Sequence, residues 1–129
     1  MMNVAFTGRA DGMTKEQREA VRELLVALTR WSAVTGCHNG GYGADMEFGD
    51  ICADLQLSMH KTDASLNPMP RNRELVNWCD ILVGCPPTDT LLKKGSGTWE
   101  TIKYGWKYGK IVFIALSDGS MVQTKDEVT

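Results

Sequence analysis

The stretch that decides the fold is "NVAFTGRADGMTKEQ", residues 3–17. Asn3 to Thr7 form a short, β-rich apolar run, "GRADGM" breaks it, and Thr14 with Gln17 three positions on is a capping-box pair that opens a helix. Val21, Leu24, Leu25 and Leu28 then recur at helical spacing on one face. A strand, a glycine-bearing loop and an amphipathic helix in that order begin a parallel α/β unit.

The alternation continues outward from this unit. "SAVTG" (32–36) reads as a second strand closing at Gly36, "HNGGYGAD" (38–45) as a glycine-rich loop, and Ala44 to Leu55 as a second helix. "LQLSMH" (55–60) is a plausible third strand, and in the following "KTDASLNPMP" (61–70) Pro68 and Pro70 hold off a helix until about Arg71. That helix turns Leu75, Val76 and Cys79 inward. "DILVGCPP" (80–87) is the most strand-like run, stopped by Pro86 and Pro87; "GSGT" (95–98) starts a last long helix, and "KIVFIAL" (110–116) is a final buried strand before a polar tail. The expectation is one domain over residues 1–129, with a Rossmann-like, doubly wound, mainly parallel sheet of about five strands and helices on both faces.

With 129 residues the chain can bury a real core but has no room for separate cofactor and substrate domains. A formal charge of −2 argues against nonspecific binding of a nucleic-acid polymer, which depends on clustered Lys and Arg. No leader-like or membrane-spanning apolar run stands out, so a cytoplasmic protein is expected. Cys37, Cys52, Cys79 and Cys85 show no C-x-x-C pair and no matching His spacing. They read as free, mostly buried thiols, with neither a metal nor a cofactor implied.

In an open parallel sheet, ligands bind beyond the carboxyl ends of the strands, where the strand order reverses. The loops that would meet there are "TGRADG", "GCHNGGYGAD", the segment bearing "PRNR", and "CPPTDTLLKKGSGT", and these are also the loops richest in Gly, Arg, Asn, His and Asp. Gly95 and Gly97 let backbone N–H groups approach an anion, and Thr98 sits where a helix begins, with its dipole end and unsatisfied donors. A plain turn with Thr98 as N-cap is the competing reading. Arg71 or Arg73 could fork onto a phosphate, and Asn72 could contact sugar or base. His38 is a loop residue past a strand end; Asp45 either serves only the start of its helix or bonds a ribose hydroxyl; Arg9, directly after Gly8, is a candidate ligand contact. Trp99 could stack on a ring, Trp106 reads as packing, and Trp31 and Trp78 as core or interface residues. The second strand ends in Gly36, Cys37 and His38 with no carboxylate to grip an adenosine ribose, which disfavours an NAD dehydrogenase.

Taken together, "FTGRADGMTKEQ", "HNGGYGAD", "PRNRELVNWCDILVGCP" and "GSGTWETIKYGWKYGK" resemble the SLOG superfamily, Rossmann-like nucleotide-binding domains related to the LOG proteins, and within it the short stand-alone members. The resemblance implies self-association through helices into a homo-oligomer and a pocket for a nucleotide or nucleotide-derived small molecule. It places Thr7, Gly8 and Arg9 in the first binding loop, His38 and Gly43 to Asp45 in the second, Arg71 and Asn72 in the third, and Gly95, Ser96, Gly97 and Thr98 at the phosphate. Some members of the family cleave the N-glycosidic bond of nucleoside monophosphates. Others sense NAD-derived signals of the ADP-ribose type. The hydrolytic pattern G-G-x-G-T-x-x-E puts its acid at Thr101 here, while Glu100 falls one residue early, about 100° round the helix. The expectation is therefore a binding module that senses or sequesters such a molecule. The alternative is a nucleoside 5′-monophosphate phosphoribohydrolase using Asp45 or Glu100, and a ligand-free scaffold is a further possibility.

Overall fold

The computed structural model describes residues 1–62, 67–92 and 95–128. Part of the expected 61–70 loop, and the two lysines ahead of the glycine turn, lie outside those residues. The elements in order are β1 (Met2–Gly8), α1 (Lys15–Thr29), β2 (Val34–His38), α2 (Ala44–Asp54), β3 (Ser58–Lys61), α3 (Pro68–Trp78), β4 (Ile81–Cys85), α4 (Gly97–Lys107), β5 (Ile111–Ala115), β6 (Met121–Val122) and a 3-10 turn, Lys125–Val128. They build one six-stranded sheet ordered β3-β2-β1-β4-β5-β6, parallel except for β6. This is a Rossmann-like doubly wound fold.

The sheet is hydrophobic on both faces because helices cover both. On one face Val4 and Phe6 of β1 and Val83 of β4 meet Val21 and Leu25 of α1 and Phe48 and Cys52 of α2. Phe6 and Phe48 stack with ring centroids 4.6 Å apart. On the other face Ala5 and Leu82 meet Leu75 and Val76 of α3 and Trp99 and Ile102 of α4. Period-two alternation along β1 thus feeds two separate cores. The Thr14–Gln17 capping box forms as the sequence predicts, and Gln17, fully buried, also donates to Ala115 O at 2.9 Å. All four cysteines are free and buried.

Several boundaries differ from expectation, each for a local reason. Leu55 to Leu57 do not belong to β3, because they terminate α2: Gln56 adopts φ 59°, and the N–H groups of Gln56 and Leu57 return to Ala53 O and Cys52 O, a Schellman arrangement built without glycine. The prolines do not delay α3. They lie in its first turn, where backbone N–H groups have no helical partner to lose, so Arg71 and Asn72 sit a turn inside the helix. β2 runs on to His38, which is a strand residue and not a loop residue. The tail is ordered and adds a sixth strand: β6 pairs antiparallel with β5, and Val128 is 4% exposed in the second core. Trp31 is 85% exposed, so it is not a core residue.

Candidate functional site

β1 lies between β2 and β4, and its connection leaves toward one face while that of β4 leaves toward the other. The crevice this reversal opens is a cavity of about 520 Å³. Five described segments reach it: Thr7 to Asp11 at the end of β1 and beyond it, Asp45 at the start of α2, Asn72 of α3, Pro87 after β4, and Gly95 to Thr98 at the start of α4.

The β1 end is shaped by what cannot be there. A Cβ on Gly8 would stand 2.6 Å from that of Ala44 and 2.7 Å from the Phe6 ring, so glycine lets α2 close onto the strand. Arg9 N donates to Cys85 O and its carbonyl accepts from Ala44 N, both at 3.1 Å, tying β1, β4 and α2 together beneath the cavity. Its guanidinium forks onto Asp11, Nε to Oδ1 at 2.8 Å and Nη2 to Oδ2 at 3.0 Å. That hydrogen bond raises the Arg9 pKa above its ordinary value and lowers that of Asp11. The Arg9 charge at the cavity is therefore half of an ion pair, with Nη1 outside the fork.

Asp45 is 8% exposed in the first turn of α2, where its Oδ2 accepts from Gly41 N at 3.1 Å. Burial pushes its pKa up to about 6, against the pull of the Gly41 N–H and the Arg71 charge. Gly43 does not line the cavity. It is the residue before α2, at φ 68°, and a Cβ there would strike Ala10 O and stand 2.7 Å from Gly12 N. Its role is to turn the chain so that Asp45 faces inward.

At the opposite wall the cap of α4 is Ser96 and not Thr98: its Oγ accepts from Trp99 N at 3.2 Å. Gly97 and Thr98 are then the first helical residues, whose N–H groups have no intrahelical acceptor, at the positive end of the helix dipole. Trp99 is fully buried and donates from Nε1 to Thr88 Oγ1 at 3.0 Å, so it cannot stack on a guest. Trp78 is half-buried with His60 stacked on it at 4.9 Å, and Trp106 packs on the second core and donates to Gln123 O.

Two predicted residues stand apart. His38 and Arg71 line a neighbouring cavity of about 390 Å³ at the end of β2, with Asn39, Met59, His60 and Lys61 among its walls. His38 accepts from Gly40 N at Nδ1, and burial lowers its pKa. Asn39 donates from Nδ2 to Asn72 Oδ1, linking the residues of the two cavities. Glu100 belongs to neither. It lies with Thr101 in a groove of about 190 Å³ between α3 and α4, its carboxylate 3.1 Å from Lys103 Nζ. Thr101, where the hydrolytic pattern wants an acid, donates its hydroxyl to Gly97 O at 2.8 Å.

Sequence reasoning did not single out Asp11 as the partner of Arg9, Asn39 as the partner of Asn72, or Lys61 at the end of β3. The i, i+2 Arg–Asp pair in "GRADG" was a usable signal for the first. The other two depend on which strands become neighbours. Among the described residues no group of three or more His, Cys, Asp or Glu could hold a metal ion, and no helix is long and apolar enough to cross a membrane.

No protein-family model and no curated protein matches the chain. Among solved structures it is similar to the crystal structure of TM1055, a target of the Northeast Structural Genomics Consortium, with a TM-score of 0.63 and 17% identity over 87% of this chain and 72% of that one. At that identity the likeness shows the shared α/β fold and nothing finer.

Proposed function

We propose that the chain is a binding module for a nucleotide or an NAD-derived small molecule of the ADP-ribose type, which it senses or sequesters. The observation that carries this reading is the convergence of the α4 start, the Arg9–Asp11 pair, Asp45 and Asn72 on one cavity at the point where the strand order reverses. A phosphate suits the Gly97 and Thr98 N–H groups with the guanidinium of Arg9, and a ribose hydroxyl suits the Asp45 carboxylate. The motif resemblance to SLOG domains supports the same ligand class, and with it a homo-oligomer.

The second reading, a phosphoribohydrolase, is favoured by one observation: Asp45 is a buried carboxyl in the cavity with a pKa of about 6, suited to moving a proton near neutral pH. Against it, Glu100 is turned away and paired with Lys103. The readings separate in one experiment. Thermal unfolding with AMP, ADP-ribose and other nucleotides should show a raised midpoint, since a ligand held only by the folded state stabilises it. Chromatography of the same mixtures should show no free base. Steady release of base would establish the hydrolase, and the absence of both a shift and base release with every nucleotide would remove both readings.

A further inference from the structure

The cavity at the end of β2 poses a separate question, because the charges on its described walls are opposite in sense to those of the main one. Its described walls carry Arg71 and Lys61 and no carboxylate, whereas the main cavity holds Asp11 and Asp45 against Arg9. Arg71 is half-buried, and its Nε is enclosed without any acceptor. Asn39 Oδ1 is likewise enclosed without a donor. A buried polar atom without a partner is costly, and among the described residues neither of these two finds one. Arg9, Arg18 and Arg22 each form a close ion pair with a carboxylate, whereas Arg71 acts on Asp45 only through its charge, with no close ion pair among the described residues.

The side chains that carry these atoms line the cavity, and their chemistry specifies a guest. Arg71 offers a fork of donors backed by a second cation, Lys61, which matches a phosphate. Asn39 Oδ1 wants a hydroxyl or amine hydrogen. A ribose with one hydroxyl phosphorylated and its neighbour free presents both, and an unmodified diol presents only the second. Where a doubly wound fold receives a plain adenosine ribose at the end of the second strand, a carboxylate grips the diol, and where the ribose carries a phosphate an arginine replaces it. Here β2 ends in Gly36, Cys37 and His38, and the nearby arginine is Arg71.

We propose that this cavity is a second anion subsite, and that the ligand is a nucleotide phosphorylated both at its 5′ end and on a ribose 2′ or 3′ oxygen. The inference rests on the nucleotide reading of the main cavity. The 5′ phosphate lies at the start of α4, the sugar passes the Asn39–Asn72 amide pair, and the second phosphate meets Arg71 and Lys61.

Isothermal titration of the full chain with 5′-AMP, adenosine 2′,5′-bisphosphate and adenosine 3′,5′-bisphosphate at matched ionic strength tests it. One bisphosphate should bind at least about tenfold more tightly than 5′-AMP, a gain that one charge-assisted contact supplies. Lys61→Met, at an exposed position, should shrink that ratio, and Arg71→Lys should shrink it further by keeping the charge while losing the fork. Equal affinity for mono- and bisphosphates, or a preference untouched by both variants, overturns the subsite while leaving the nucleotide reading in place. Failure of all three to bind removes both.

Discussion

The starts of α2 and α4 face each other across the main cavity, and both depend on glycine, for opposite reasons. At α2 the chain is crowded: the missing side chain of Gly43 leaves room for Ala10 and Gly12 of the β1 loop, and that of Gly8 for Ala44 and Phe6. At α4 the corresponding space is open: a Cβ on Gly95 or Gly97 would meet no atom of the described residues within 4 Å. The first kind of glycine is demanded by the fold. Of the second pair, Gly95 is still held by its φ of 89°, whereas Gly97, with no positive φ, is demanded by neither space nor backbone conformation. A residue the fold could replace freely, placed at a helix start lining a cavity, is the pattern that a ligand approaching the backbone would require.

Three substitutions would break or sharpen this contrast. Gly43→Ala should have the largest effect, destabilising by about 3 kcal/mol or more, because it combines a left-handed φ with collision against backbone atoms that cannot move aside. Urea unfolding reads this directly. An unchanged midpoint would mean the α2 start is no more constrained than that of α4.

Asp45→Asn should act in the other direction. The carboxyl titrates at about 6 when folded and near 3.8 otherwise, so the folded state holds the proton more tightly. The wild type should therefore lose stability as pH rises from about 4 to 6 and stay level above. The asparagine variant, lacking that slope, should be more stable at pH 7 by up to about 3 kcal/mol, since a tenfold change in proton affinity is worth roughly 1.4 kcal/mol. Nucleotide affinity should fall in the same variant. If stability as a function of pH is parallel in the two proteins, the burial cost assigned to Asp45 is wrong.

Gly97→Ala is the smallest in stability and the most telling. Its unfolding free energy should stay within about 1 kcal/mol of the parent, on the favourable side if anything, because alanine is the better helix former. Its affinity for nucleoside phosphates, read by titration calorimetry, should nevertheless drop at least about tenfold. Unchanged affinity would show that no ligand uses that open space.

How much of this was legible in the sequence divides along the same line. Elements with strong local patterns, such as β1 with the Thr14–Gln17 box and the apolar run of β4, appear where periodicity and capping put them. Boundaries failed where a residue did something its type does rarely. Gln56 does so, taking a left-handed conformation that a glycine would have announced; at α3 the misreading was of position, since prolines suit the first turn they occupy and open the helix there instead of holding it off. At the site, the loops that converge could be named from the strand-end rule alone, and Asn72 does face the glycine turn across the cavity. What could not be read was how that space divides. Arg71 and Asn72 are adjacent in sequence and line different cavities, because successive helical residues point about 100° apart. The fate of Trp99 was hidden for a related reason: once Ser96 takes the cap, the helix starts early enough that the indole turns into the sheet beside Ile102.

The connection from β4 to α4 is long, yet it is anchored midway by the far end of the chain. Leu91 N donates to Val128 O at 3.3 Å, and Val128 is sunk in the core below. The terminal turn thus works as a guy-rope on a loop whose other end presents Ser96 and Gly97, and slackening it would loosen that wall of the main cavity from a distance.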